Sequence, residues 1–177
     1  AKDCARAFTT STGLGTVVSL ADGEPLATYG TYHCENCRIC QLAGKQHTLC
    51  IQSHIYGMNE AERFGGKYVF FCPLGLTCFT SPIVGTDSTD AKITVGPFLM
   101  MGRQDYIHDD LLPRAQMPYD LQELTAEVQK IPVVPAARVE DISSLLFMAV
   151  GFMNNVWAAS NMLELQESYS IPVSYTH

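Results

Sequence analysis

Basic side chains are scarce in this sequence: 11 lysines and arginines stand against 18 aspartates and glutamates, a net charge of −7. Such a surface repels phosphate backbones, so direct nucleic-acid binding by this segment is not expected. Long apolar runs are missing too. The longest, Leu145 to Met153, falls well short of the roughly 20 residues that span a bilayer, so no membrane segment is expected. The opening residues, Ala1 to Phe8, lack a charged stretch followed by an apolar core and read as a helix, which gives no indication of secretion. An even cysteine count is also lacking. Seven cysteines do not close into a fully paired disulfide framework, and reduced thiols in a cytoplasmic protein fit better. Neither internal repeats nor low-complexity tracts break the chain.

What is present suffices for one folded unit. With 177 residues, 47% of them apolar, the chain can bury a core of ordinary size. The N-terminal half alternates like a sheet protein. Thr16 to Ala21 and Pro25 to Tyr29 flank Asp22-Gly23, a strong hairpin signal. Lys67 to Cys72, Thr77 to Val84 and Lys92 to Met100 are further strands. Gly85 to Asp90 reads as an exposed hairpin loop, and Arg103 to Pro118 as a loop rich in charge and proline. The period then becomes helical. Asp120 with Glu123 makes a capping-box-like start, and Leu121, Leu124 and Val128 form one apolar face of a short helix ending near Lys130. The prolines of Ile131-Pro132-Val133-Val134-Pro135 impose an extended link. A final helix is expected from Ala136 to Glu167, with Ile142, Ala149, Val156 and Leu163 at heptad spacing and Leu146 and Met153 between them. That seam fits either a helix lying on the sheet or one that dimerises and transmits a signal. One domain over residues 1–177 follows, with the sheet, a cysteine-rich cap and the short helix in 1–135 and the packing or transmission helix in 136–167.

Chemistry concentrates between Cys34 and Arg63. Cys34, Cys37 and Cys40 recur every three residues, so on a helix they fall close to one face, and Cys50 and His54 share a face at i, i+4. A chain reversal near Gly44 would bring those faces together. Thiolates and imidazole are the ligands zinc prefers, although the second Cys-x-x-Cys of a zinc ribbon is absent. Three readings stay open: a thiolate-bound metal, buried thiols acting as small apolar groups, and oxidative pairing. A catalytic cysteine needs a histidine beside it and a third group to orient that histidine. Spacing supplies no such arrangement, and His108-Asp109-Asp110 reads as part of a solvated loop, so a non-catalytic protein is expected.

Taken in order, several segments resemble the PocR ligand-binding sensory domain. They are Phe8 to Leu14, the hairpin through Asp22 to Leu26, Cys37 and Cys50, Cys72 to Ile83, Gly96 to Leu99, and Lys130 to Val134. The resemblance spans almost the whole chain. It implies an α+β, PAS-like fold: a mostly antiparallel sheet of about five strands flanked by helices. It further implies a small organic ligand, since the family is thought to sense simple hydrocarbon derivatives. The effector, a helix-turn-helix module or a histidine kinase of a bacterial signalling or transcription regulator, would lie outside the covered residues, and a homodimer is compatible with the last helix. A PAS-like sheet holds its ligand under covering helices, which points to Phe70, Phe79, Pro82, Phe98 and Tyr68, with Tyr32, as the wall. The family's recurrent cysteines fall on Cys37, Cys50 and Cys72, with Cys40 the nearest fourth ligand for zinc or another thiolate-bound metal. Where the family commonly has a histidine, an acidic residue and a glutamine, this chain has Pro73, Cys78 and Pro97. The loss of three polar handles predicts a more apolar or aromatic ligand than a small polyol.

Overall fold

The alternating segments pair into one five-stranded antiparallel sheet, in the order β2-β1-β5-β4-β3. The computed structural model describes residues 1–83 and 91–169, with side chains in the last helix described to Asn155. The strands are β1 (Thr16–Leu20), β2 (Pro25–Tyr29), β3 (Tyr68–Phe71), β4 (Thr77–Ile83) and β5 (Ala91–Phe98). The first hairpin turns where Asp-Gly requires: Gly23 adopts φ 94°, and the Asp22 carboxylate accepts from the Glu24 amide at 2.9 Å. The expected loop at Gly85 to Asp90 lies outside the described residues.

Period-two alternation splits the sheet into two faces. One face sets Val18, Phe79, Ile93, Val95 and Phe98 beneath α1 (Lys2–Thr12) and α7 (Ala136–Tyr169). On it the rings of Phe79 and Phe98 meet edge-on at 5.9 Å, a contact worth about 0.5–1.5 kcal/mol beyond burial. The other face carries Val17, Phe70 and Cys78, and Cys34 packs against them. It is covered by α3 (His47–Arg63), with α2 (Ile39–Leu42) packed between α3 and α6 (Leu121–Gln129). Gly57 allows α3 to lie close: a β-carbon there would stand 2.6 Å from the Phe70 ring.

The segment expected as a loop after residue 103 is helical instead. It forms α4 (Arg103–Tyr106), a π-helical turn (Ile107–Leu111) and α5 (Leu112–Arg114). Tyr106, Ile107 and Leu111 are buried there against Leu74 and Leu76, and the π turn's wider spacing removes the 3.6-residue pattern that would reveal a helix. His108 and Asp109 are exposed on that turn. The next element, α6 (Leu121–Gln129), starts at Asp120, whose carboxylate accepts from the amides of Gln122 and Glu123. The extended link crosses beside the sheet, where Leu99 bonds Pro132 and Val134 through the backbone.

Candidate functional site

Each wall of the site is fixed by a local device. Cys34 follows β2 in an irregular segment held by Asn36, which accepts from the His33 amide at 2.8 Å and donates to the Thr31 carbonyl at 2.9 Å. That segment runs against Gly15, where an added β-carbon would overlap the Tyr32 carbonyl oxygen. Downstream, the Arg38 amide donates to Glu127 on α6 at 3.1 Å, and the Gln116 amide donates to the Ala43 carbonyl. His54 comes from α3. Its ring meets Phe70 edge-on at 5.3 Å, and its backbone carbonyl accepts from the Lys92 ammonium at 2.9 Å.

Cys78 owes its place to a bulge. Thr77 pairs with Phe98 and Phe79 with Val95, so Gly96 and Pro97 together stand opposite Cys78. Gly96 has φ 133°, and a β-carbon there would stand 2.9 Å from the Thr77 carbonyl oxygen and 3.0 Å from Cys78 Sγ. Cys72 sits in the tight β3–β4 turn. Its amide bonds the Leu76 carbonyl, and the Tyr106 hydroxyl donates to the Leu74 carbonyl at 2.9 Å.

These devices enclose two adjoining spaces between the sheet and its cap. The larger, about 330 Å³, has Val17, Ser19, Lys92 and Thr94 as its floor, His47, Cys50, Ile51 and His54 as its roof, and Asp22, Glu24 and Glu35 among its other walls. The smaller is a narrow chamber lined by Cys34, Cys37, Cys40, Cys50, Cys72 and Cys78, with His47, His54 and Pro97. Cys34, His47, Cys50 and His54 line both. Among the described residues, the His, Cys, Asp and Glu group whose donor atoms converge within 4.8 Å of one another is Cys34, His54 and Cys78. Such a group can hold a metal ion.

The enclosure sets the protonation of the thiols. Cys34 is held below the ordinary thiol range, first by its hydrogen bond with Cys78 and, against the cost of burial, by His54 beside it. Its partner Cys78 is correspondingly raised, by that same bond and by burial. Cys40 is lowered by its bond with Cys50, and Cys50 is raised. Burial pushes Cys37 up to about 11 against hydrogen bonds with Tyr32 and the Ile39 backbone, and pushes Cys72 up to about 12. Lys92 is 1% exposed, and burial lowers its ammonium to about 8 against the pull of Cys34 and Glu35.

The structure brings together Cys37, Cys40, Cys50 and Cys72, the four thiols singled out in the sequence, as lining of one chamber. Of the expected ligand-binding side chains, Phe70 lies under the cap beside Cys34 and Cys78, with Tyr68 packed against that cluster. Phe79 and Phe98 belong to the opposite face. Pro82 lines a surface groove with Phe147 and Val150 of α7. None of the five lines the 330 Å³ cavity. Its polar floor was visible in the sequence only as Lys92 and Thr94 alternating with Ile93 and Val95. That pattern normally marks a solvated face, and here the cap covers it.

A family model described as the sensory domain found in PocR matches residues 1–156. No curated protein and no solved structure matches the chain.

Proposed function

The chain belongs to the PocR sensory-domain family, and on that premise we propose that it binds a small organic molecule in the cavity between cap and sheet and reports occupancy to an effector outside the covered residues. One observation carries this reading: a cavity of about 330 Å³, at the lower end of the size range of small-molecule sites, lies against the central strands of a sensory fold. The proposed role is recognition without catalysis, in a cytoplasmic bacterial regulator whose output is a helix-turn-helix module or a histidine kinase.

The ligand's character follows from the walls. Of the three positions that depart from the family, Cys78 and Pro97 line the thiol chamber, whereas Pro73 lines two other surface grooves. The cavity itself has Lys92, Glu35, Ser19 and Thr94 as polar handles beside Val17, Pro25 and Ile51. Lys92 spends one of its three ammonium donors on the His54 carbonyl, and a wholly apolar guest would cover the others without a partner, at about 1–3 kcal/mol for a group so left. The ligand proposed is therefore small, with a hydrogen-bonding head and a short apolar body. Binding transmits by favouring one placement of the cap relative to the sheet, with α7 as the output element.

Thermal unfolding in the presence of short-chain alcohols, diols, aldehydes, acids and small aromatics tests this. A true ligand at a hundredfold excess over its Kd adds about 2.7 kcal/mol of stability, several degrees in Tm. Ser19→Leu, which fills the cavity floor, should leave the protein folded and abolish that shift. A shift that survives in Ser19→Leu places the ligand elsewhere and defeats the reading.

A further inference from the structure

We propose that Cys34, His54 and Cys78 form a three-ligand site for a soft divalent metal, zinc above all, whose fourth coordination position opens toward the ligand cavity. The metal site stands on the geometry of three side chains; its role as an anchor for the organic ligand rests on the sensory reading above.

The distances carry the first part. Zinc–sulfur bonds of about 2.3 Å at tetrahedral angles place two sulfurs about 3.8 Å apart, and the Sγ atoms of Cys34 and Cys78 stand 3.7 Å apart. A ring nitrogen of His54 completes a group lying within 4.8 Å throughout. Buried thiols are unremarkable as small apolar groups. An imidazole brought to two of them is not explained by packing.

The three ligands come from distant parts of the chain, each set independently: Cys34 by the Asn36 turn, His54 by α3, Cys78 by the bulge at Gly96-Pro97. Edge contact with Phe70 at 5.3 Å restrains the His54 ring. Two thiolates and a neutral imidazole around a divalent ion leave no net charge, so the buried centre avoids the cost of an unpaired ion.

Three protein ligands with a fourth position free is the pattern of zinc sites that bind an exogenous group. Cys34 and His54 line the ligand cavity as well as the thiol chamber, so a donor atom entering from the cavity can reach the ion. The ligand class this adds is a small molecule carrying a thiol, imidazole, amine or carboxylate head.

The test uses the whole chain, reduced, stripped of metal and titrated with Co(II) and Zn(II) without organic ligand. About one equivalent should bind, with thiolate-to-cobalt charge-transfer absorption. Cys34→Ser, Cys78→Ser and His54→Ala should lose most of it while circular dichroism is unchanged, and Cys4→Ser should keep it. X-ray absorption at the zinc edge of the unaltered protein should count two sulfurs and one imidazole, a result that stands even if a variant fails to fold. Imidazole should then perturb the cobalt d–d bands through the open position. No binding by reduced protein, three or four sulfurs around the ion, or metal retained in Cys78→Ser and His54→Ala but lost in Cys37→Ser or Cys72→Ser would overturn the site. Unmoved d–d bands would overturn the open position. None of these readouts involves the sensed ligand, so failure here and failure of the sensory reading are separate results.

Discussion

Glu127 shows how much one side chain can be asked to hold. It is 3% exposed, accepts from the Arg38 amide at 3.1 Å with one carboxylate oxygen, and receives Lys130 at 2.9 Å on the other. Burial pushes its carboxyl up, but the hydrogen bonds from Lys130 and Arg38 outweigh it and hold the group below the ordinary carboxylate range. A carboxyl whose folded value lies below its unfolded one contributes stability that is complete above the unfolded value and lost as pH falls through the folded one. Glu127→Gln should therefore cost about 1.5–3 kcal/mol near neutral pH, and the gap to the unaltered protein should narrow as pH falls below the ordinary glutamate value of about 4.3 and through the lower folded one. Urea denaturation across that range reads it; a gap that stays constant would mean the charge is not what ties the cap to α6. The same scale explains why the site was only half legible in the sequence. Spacing placed Cys34, Cys37 and Cys40 on one face and Cys50 with His54 on another, and family likeness singled out Cys37, Cys50 and Cys72, because both are properties of the sequence. The meeting of Cys34 with Cys78 depends on the bulge at Gly96-Pro97, opposite Cys78, and an extra residue of that kind interrupts the alternation from which register is read.

At the scale of elements, legibility followed how far a segment's own pattern agrees with its surroundings. The strands and α6 were readable because alternation, the Asp-Gly turn and the Asp120 cap each carry their own signal. The stretch from Arg103 to Arg114 was not, since its helical form rests on burying Tyr106, Ile107 and Leu111 against the β3–β4 turn. Pro113, which reads as a breaker, sits in the first turn of α5, directly after the π turn. The cap of α6 offers the cleaner test. Asp120 accepts from Gln122 at 2.9 Å and Glu123 at 3.2 Å. Asp120→Ala should cost about 1 kcal/mol and Asp120→Asn very little. Equal losses in guanidinium titrations would show that charge, rather than the capping bond, matters there.

For the molecule as a whole, α7 carries two apolar stripes, one buried and one exposed. Val139, Ile142, Leu146 and Val150 are buried against the sheet, with Met153 packed beside them, a stripe at the spacing of a helix lying on a surface. Ala149, expected in a heptad seam with Ile142, is exposed; Val156 and Leu163 of that seam lie outside the described side chains. The turn away from the sheet carries a second stripe, Leu145, Met148 and Phe152, the last 70% exposed. These three lie at i, i+3 and i+7, so a second copy of α7 can cover them together. If a second copy pairs there, movement of the cap and sheet under ligand would shift the inner stripe, and the outer one would carry that shift to the partner. The expected outcome is a concentration-dependent dimer in analytical ultracentrifugation that Phe152→Glu converts to monomer. The thermal shift with ligand should persist in that monomer, because the cavity is built within one chain. A variant that stays dimeric would assign the stripe to a different partner, and one that loses the ligand response would mean that the pocket needs the second copy.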